Sequence, residues 1–373
     1  MAAGSRSIKN LSLQDLDDIL LGATILGAGG GGDIEEGKAL IKEAHEAGKR
    51  FQLASIDEVP DDALICTPYL LGAISAMTPE EELEYGGLDR SETRNILSAY
   101  RGFQQYLNKS FYGTTPCEMG GSNTAVAFYC AAMHDHVIVD ADPAGRAVPE
   151  ITHSTYYFAG LPASPIYAAN EFGETFVISN IKDDQRAETV VRALCQVSRN
   201  DIAAIDHALE MRVLKNALIA GTISKALLLG KTWRKSQAQT DLPEVIAKIA
   251  SGQVAFRGVV SEVEYRTSEG FTRGSFSIQG TGTYLNQTFK TMVKNENLVG
   301  WLDNKVYVTI PDLICLFDIA TGKPVSNPDV VKGQAVAVVL LPAPVEFTSA
   351  KALSVFGPAY AGIDADYRPF CRK

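Results

Sequence analysis

Hydrophobic and polar positions along this chain switch between a helical period and a strand period. Over Leu13–Leu26 apolar residues recur on one helical face, with Ser12 and Asp15 placed as a capping-box-like start. Ile34, Leu40, Ile41, Ala44 and Ala47 mark a second amphipathic helix, and Gly48 is placed to end it. Residues 51–56 and 63–67 read as strands. Ile96, Leu97, Tyr100, Phe103 and Leu107 predict a long helix over 93–107, opened by Ser91. A strand-like run at 114–119, a short helix over 123–133 with Asn123 as N-cap, and the strand 137–140, apolar on both faces up to Asp140 at its end, follow. Such alternation predicts an α/β domain of three layers, a largely parallel sheet with helices on its faces. In sheets of that kind ligands gather beyond the carboxyl ends of the strands.

Further on, residues 175–180 read as a hairpin-like strand, and helices are expected at 187–198 and 213–230. From Gly252 the period changes. Residues 254–265 and 272–279 alternate apolar and polar positions around a Ser268-Glu269-Gly270 turn, and short strands follow at 306–310, Leu313–Asp318 and Ala335–Leu341. Thr321-Gly322-Lys323-Pro324 and Lys332-Gly333 punctuate them. The pattern predicts a smaller C-terminal β-barrel-like domain over 246–345 after an α/β domain over 1–245, with segment 346–373 returning to pack on the first domain.

Composition narrows the function classes. The 373 residues carry a net charge of −10 with a pI near 5.1 and no Lys/Arg cluster, which argues against a nucleic-acid partner. No apolar run reaches a membrane-spanning length and the first ten residues lack a signal-like core, so a cytoplasmic protein is expected. The six cysteines, scattered without a short-spaced pair, fit reduced thiols. A homo-oligomer, most simply a dimer, is the default assembly.

Between the first two helices lies Gly27-Ala28-Gly29-Gly30-Gly31-Gly32-Asp33. So many glycines in one turn imply positive φ values or backbone approached with no Cβ in the way. A glycine turn feeding a helix N-terminus aims unpaired N–H groups and the positive helix end at one spot, a cradle for a carboxylate, a phosphate or a ring carbonyl. No Lys-Ser/Thr follows, so the run is not a P-loop, and the helix before it is not the strand of a dinucleotide fingerprint. A tight helix-to-helix turn without ligand satisfies the same glycines.

Two further segments carry chemistry. Pro116-Cys117-Glu118-Met119-Gly120-Gly121-Ser122-Asn123 leads from strand to helix and offers Glu118 as a base, Cys117 as a thiolate lowered by the helix end, and N–H donors at Gly120 and Gly121. The alternative is a plain loop with a cap and a paired glutamate. After the apolar strand come Asp140, Asp142 and Arg146. In extended chain the two carboxylates share one side, where they need a cation, a shared proton or an arginine. Either Arg146 pairs them structurally, or they bind a metal or act as base, with His153 or Glu118 nearby. His134 and His136 lie at the other end of that strand, and five histidines with no HxH or HExxH at a strand's ligand end disfavour a three-His zinc site, while a divalent metal such as zinc stays one option.

GAGGGGD, EMGGSN, VDADPAGRAVPE, AGTISKALLLGKTW, NENLVGW, TIPDLICLFD with TGKP, and LSVFGPAYAGID follow one another over nearly the whole chain. In this combination the sequence resembles a bacterial family once defined only as a domain of unknown function and now grouped with the S-methyl thiohydantoin desulfurases. The resemblance implies an N-terminal α/β and a C-terminal β-rich domain. It also implies a hydrolase-like activity on a cyclic amide of the hydantoin or thiohydantoin type, and a hydantoinase/oxoprolinase-type subunit as partner. The alternative role is that of a non-catalytic subunit of such an enzyme. The positions carried over are Gly29, Gly30, Gly31 and Gly32; Glu118, Gly120, Gly121 and Asn123; and Asp140, Asp142, Gly145, Arg146 and Glu150. Where the family shows a Gly-Met-Gly-Arg-like turn, this chain has Pro143-Ala144-Gly145-Arg146, and the proline stiffens that wall. In this reading Asp140 or Asp142 is base or metal ligand, Glu118 a further acid or base, the glycine turns hold the developing anion, and Asn123 or Arg146 orients the ring.

Overall fold

The computed structural model describes residues 8–72, 79–237 and 241–370. Strands β1 (Lys9–Asn10), β2 (Gln52–Ala54), β3 (Leu64–Gly72), β4 (Gly113–Thr114), β5 (Val137–Val139), β6 (Ala141–Asp142), β7 (Ile166–Ala169), β8 (Thr175–Ile178), β9 (Asp201–Glu210) and β10 (Ile219–Ala220) belong to the first part of the chain. All but β6 and β10 form one eight-stranded sheet in the order β1-β2-β5-β4-β3-β9-β7-β8. Only β2, β5, β4 and β3 run parallel; the other neighbours pair antiparallel. The sheet is therefore mixed, not largely parallel. The difference comes from β7 and β9, which the hydrophobic pattern did not predict and which enter beside β3 in reverse.

Helices α1 (Leu13–Leu26), α2 (Ile34–Glu46), α3 (Pro79–Glu84), α4 (Asn95–Leu107), α5 (Gly121–Met133), α6 (Thr155–Ala159), α7 (Asp184–Gln196), α8 (Met211–Leu214), α9 (Thr222–Lys235) and α10 (Leu242–Ile249) pack around it. Ser12 and Asp15 form the capping box of α1 as the sequence implied. The helix expected over 213–230 is instead split into α8, β10 and α9, because β10 pairs with β6 and Gly221 turns the chain at φ +76°. The N-cap of α5 is Gly120 rather than Asn123, whose side chain is used elsewhere.

In the second part, β11 (Gln253–Ser268), β12 (Phe271–Gly280), β13 (Thr288–Lys294), β14 (Glu296–Leu302), β15 (Lys305–Thr309), β16 (Leu313–Asp318) and β17 (Ala335–Leu341) build one antiparallel sheet in the order β15-β14-β13-β12-β11-β17-β16. It curls as a half-barrel around Phe256, Phe276, Phe289, Val336 and Leu340. Among the described residues β15 and β16 make no ladder with each other, so the predicted barrel is not closed.

The two sheets are joined by helices. Ile25 and Leu229 share one apolar core with Phe317 and Val339, and the Cys315 thiol donates to the Ile25 carbonyl at 3.1 Å. Helix α1 crosses α9 at contact distance: a methyl group at Gly22 would lie 1.9 Å from the Ala226 oxygen, and one at Gly230 would lie 1.8 Å from the Asp18 oxygen. Beyond β17, Phe347 and Phe356, the latter ending helix α11 (Ala350–Phe356), pack with Ala144 and Ile310. Cys66, Cys130, Cys195 and Cys315 are buried free thiols; Cys371 lies outside the described residues.

The α1–α9 crossing gives a first prediction. Alanine at position 230 gains about 1 kcal/mol in helix propensity, but the backbone facing it cannot yield and overpacking costs about 1–3 kcal/mol or more. Gly230→Ala should therefore lower the melting temperature, read by calorimetry; an unchanged or raised value would mean the crossing is loose.

Candidate functional site

A cavity of about 910 Å³ lies at the joint between the two parts. Its walls come from the glycine turn, from β3 and β9, from the segment after β4, and from Asn295, Glu296, Ser326 and Asp329 of the second part. Strand order explains the place: Thr114 is paired with Cys66 and Thr67 with Asp206, so β3, β4 and β9 deliver their ends and the loops beyond them to one spot.

The glycine turn is an interlock before it is a cradle. A methyl at Gly31 would sit 2.4 Å from the Gly120 Cα, one at Gly32 2.5 Å from the Ser122 Cβ, and one at Gly121 3.0 Å from Ile34. Gly29, Gly31 and Gly32 also hold φ values of +95°, +81° and +81°, where a side chain is strained. Its carbonyls are consumed structurally. Gly31 accepts from the N–H groups of Ser122 and Asn123, Gly29 from Asn327, and Ala28 from Asn297. Among the described residues the N–H groups of Gly31 and Gly32 donate to no other protein group. Gly29, Gly31 and Gly32 line the cavity, whereas Gly30, Gly120 and Gly121 serve the packing behind it.

Two buried carboxyls meet this turn. Glu118 accepts from the Asn123 side-chain amide at 2.8 Å and from the Val148 N–H at 2.6 Å. Burial raises it from 4.5 to about 7, against those two hydrogen bonds and the Arg146 charge, while the Asp142 charge adds to the rise. Asn123 is itself fixed by accepting from Leu70 N–H at 3.0 Å. Glu296, at the start of β14, fills the space that Gly30 leaves, with Oε1 2.0 Å from where a methyl would be. Its Oε2 is buried without a hydrogen-bond partner. Burial and the Glu118 charge push the Glu296 carboxyl well above the usual carboxylate range, which favours its protonated form.

Of the other acids carried over, Glu150 lines the cavity and is paired with Lys294 and Tyr360, whereas Asp140 and Asp142 do not reach it. The Asp140 carboxylate accepts from the Ser224 N–H and hydroxyl at 2.9 and 2.5 Å, in the first turn of α9. Asp142 is buried and accepts from the Ala144 and Gly145 N–H groups at 2.9 and 2.8 Å; burial raises it to about 6. Both carboxylates are turned toward the first turn of α9, where Ser224 faces Asp140 and Thr222 and Lys225 lie beside Asp142, so they serve that helix start and not the cavity. Arg146 is fully buried and donates to the carbonyls of Ala147, Pro311 and Asp312, against the Phe356 ring, so it pins the 143–148 turn to the second sheet instead of facing a ligand. Pro143 does line the cavity. Cys117 lines it too, but burial and the Glu118 charge keep its thiol protonated, contrary to the thiolate expectation. His153 is packed between Phe356 and Tyr360 and burial lowers it to about 3, so it is neutral. Among the described residues no group of three or more His, Cys, Asp or Glu converges as a metal site.

A wall that the sequence reading missed stands on β3, β9 and α6. His207 Nδ1 lies 2.7 Å from Asp206 Oδ1, and its Nε2 lies 3.3 Å from the Leu161 carbonyl. Burial alone would lower His207, but the Asp206 carboxylate outweighs it and the pKa is raised; with an acceptor at each nitrogen the surroundings favour the protonated ring. Tyr69 donates to the other Asp206 oxygen at 3.0 Å. The Tyr156 ring stacks on His207 with centroids 4.2 Å apart, and its hydroxyl is 3.3 Å from that of Thr67. His207 holds φ +42°, unusual for a non-glycine residue and typical of strain kept at functional sites. An apolar run, Ile202-Ala203-Ala204-Ile205, followed by Asp-His was the available signal for this strand.

A two-domain α/β-plus-β protein with an acid-floored cavity at its joint is the class these observations define. Two family models cover the chain: the S-Me-THD-like N-terminal domain matches residues 14–180 and the S-Me-THD-like C-terminal domain matches residues 182–370. The chain belongs to this S-methyl thiohydantoin desulfurase-like family. Strand β9 falls within the second family segment although it pairs in the first sheet. No curated protein matches the chain in sequence. A crystal structure of a protein from Chromobacterium violaceum is similar over 97% of this chain and 100% of its own, with TM-score 0.79 and 22% identity, a likeness of fold. No helix among the described residues is long and apolar enough to cross a membrane.

The raised Glu118 makes stability depend on pH. Its folded pKa of about 7 exceeds the ordinary 4.5, so the native state binds the proton more tightly than the unfolded chain. That contribution is full below the unfolded pKa and is lost as pH rises through about 7. Urea unfolding at pH 5 and pH 8 should show Glu118→Gln gaining on the wild type by up to about 3 kcal/mol. A gap that does not change with pH would mean that Glu118 is ionised in the native state throughout.

Proposed function

We propose that this protein is a hydrolase of S-alkylated thiohydantoins, which adds water at the ring carbon that bears sulfur and releases a thiol and a cyclic amide. The observation that carries this reading is the pair of buried carboxyls, Glu118 and Glu296, side by side in titration at the floor of a large cavity in a member of the S-Me-THD-like family. Two carboxyls held apart in pKa divide the labour of an acid and a base. Glu118, near 7, takes the proton of the attacking water as its oxygen bonds to carbon. Glu296, protonated, gives its proton to the sulfur as the C–S bond breaks with its electron pair. One proton has then moved from Glu296 to Glu118, and passage back between the two restores the starting state. The N–H groups of Gly31 and Gly32, free of protein acceptors among the described residues, are placed for a polar atom of the ring.

The test is release of methanethiol from an S-methyl thiohydantoin by the purified protein, followed with a thiol reagent, together with the appearance of the hydantoin. Glu118→Gln and Glu296→Gln should each lower kcat by about 10²- to 10⁴-fold. The rate should climb with pH through about 7 as Glu118 ionises. Absence of thiol release by the wild type, or full activity of both variants, overturns the reading.

A further inference from the structure

Glu118 and Glu296 account for two protons but leave one demand of the reaction unmet. In an S-alkylated thiohydantoin the carbon bearing sulfur is double-bonded to a ring nitrogen that is conjugated with the ring carbonyl. Attack by water at that carbon drives the electron pair through the nitrogen onto the carbonyl oxygen, which becomes an imidate anion until the thiolate leaves. A donor aimed at that oxygen, in a dry wall, lowers the barrier most.

The wall on β3, β9 and α6 contains such a donor. Thr67 and Tyr156 are nearly fully buried, yet both border the cavity, and their hydroxyl oxygens are 3.3 Å apart. Two hydroxyls own two hydrogens, and the bond between them uses one. Neither hydroxyl has another protein partner among the described residues, so one hydrogen is left for a ligand. Their position is stiff. Tyr156 is stacked on the His207 ring, His207 is held by Asp206 and the Leu161 carbonyl, and Asp206 is held in turn by Tyr69.

We infer that the Thr67–Tyr156 hydroxyl pair is the hydrogen-bond donor to the ring carbonyl oxygen of the substrate, and that Asp206 and His207 are positioning residues that hold Tyr156 in place. This rests on the proposed function for the chemistry, but the pair's affinity for a ring oxygen is a separate property. It also sets the orientation of the ring, with the carbonyl toward β3 and the sulfur-bearing carbon toward Glu118 and Glu296. Aspartate and imidazolium cancel in charge, so the wall favours a neutral ring that becomes anionic over a substrate already charged.

Two readouts separate this inference from the reading beneath it. In thiol release, Tyr156→Phe should lower kcat by about 10²- to 10³-fold with little change in KM, Thr67→Val should act in the same direction, and Thr67→Ser should keep most of the activity. In binding, 2-thiohydantoin serves as a probe whose ultraviolet spectrum reports ionisation of the ring. The wild type should shift bound probe toward its anion at a pH where the free probe is neutral, and Tyr156→Phe should abolish that shift. His207→Gln should reduce the shift partly, with a matching fall in kcat, and circular dichroism and melting curves confirm folded variants. An active wild type with Tyr156→Phe within threefold of it, or an unshifted spectrum of probe bound to the wild type, overturns the inference. A wild type that shifts the probe but releases no thiol overturns the hydrolase reading alone.

Discussion

Backbone contact between two glycine turns sets the geometry of this molecule. Where the chain passes from α1 to α2 it lies against the start of α5 so closely that Gly31 and Gly120 would each have a Cβ within 2.4 Å of the other's Cα. The carbonyls along the same turn then receive N–H groups from α5, from β14 and from Asn327. A single loop thereby fixes the helix layer, the second sheet and the floor of the cavity relative to one another. Tight backbone packing of this kind has no side chain to adjust, which is why it can define position to a few tenths of an ångström.

That precision is what makes the buried charges tolerable. Glu118, Glu296 and Arg146 are all withdrawn from water, and an isolated buried charge costs several kcal/mol. Arg146 donates from Nε and Nη1 to three carbonyls while its Nη2 is buried without a partner, and its charge lowers both carboxyls. Glu118 has two donors; Glu296 escapes the cost by keeping its proton and leaving one oxygen unpartnered. An arrangement with an orphaned carboxyl oxygen is poor for stability and is the kind of compromise that functional sites retain.

Much of this was legible in the residues, and the gaps have physical causes. Helix α1 with its capping box, α2, α4 and five of the seven strands of the second part follow the hydrophobic period, whereas β13 and β14 were not predicted, and the glycine turns mark a close approach of backbone whose first use is packing. Glu118 and Asn123 sit where a strand-to-helix loop places functional groups, and both line the cavity. Asp140 and Asp142 stand at the end of the buried strand as the pattern implied, but they face the start of α9 and not the cavity, a direction that hydrophobic period does not encode. Strand β9 was invisible to period because its middle, Ile202-Ala203-Ala204-Ile205, is apolar on both faces between two helices. With it went Asp206 and His207. Glu296 lay in NENLVGW, a segment noticed only as part of the resemblance; one acid at the head of an otherwise apolar strand is a weak signal until Gly30 is seen to make room for it.

The cavity has two poles of different origin. Thr67, Tyr69, Tyr156, Asp206 and His207 all belong to the first sheet and the helix beside it, held by strand pairing between β3 and β9. The carboxyl pole takes Glu118 from the first part and Glu296 from the second, and exists only while the second sheet is seated on the glycine turn. A loosened joint would therefore disperse the carboxyl pole while leaving the hydroxyl pole assembled. The pairing of β9 with β3 sets Asp206 opposite Thr67, beside the loop after β4, and so brings the two poles to one space. The mixed sheet is thus tied directly to the chemistry that the cavity can perform.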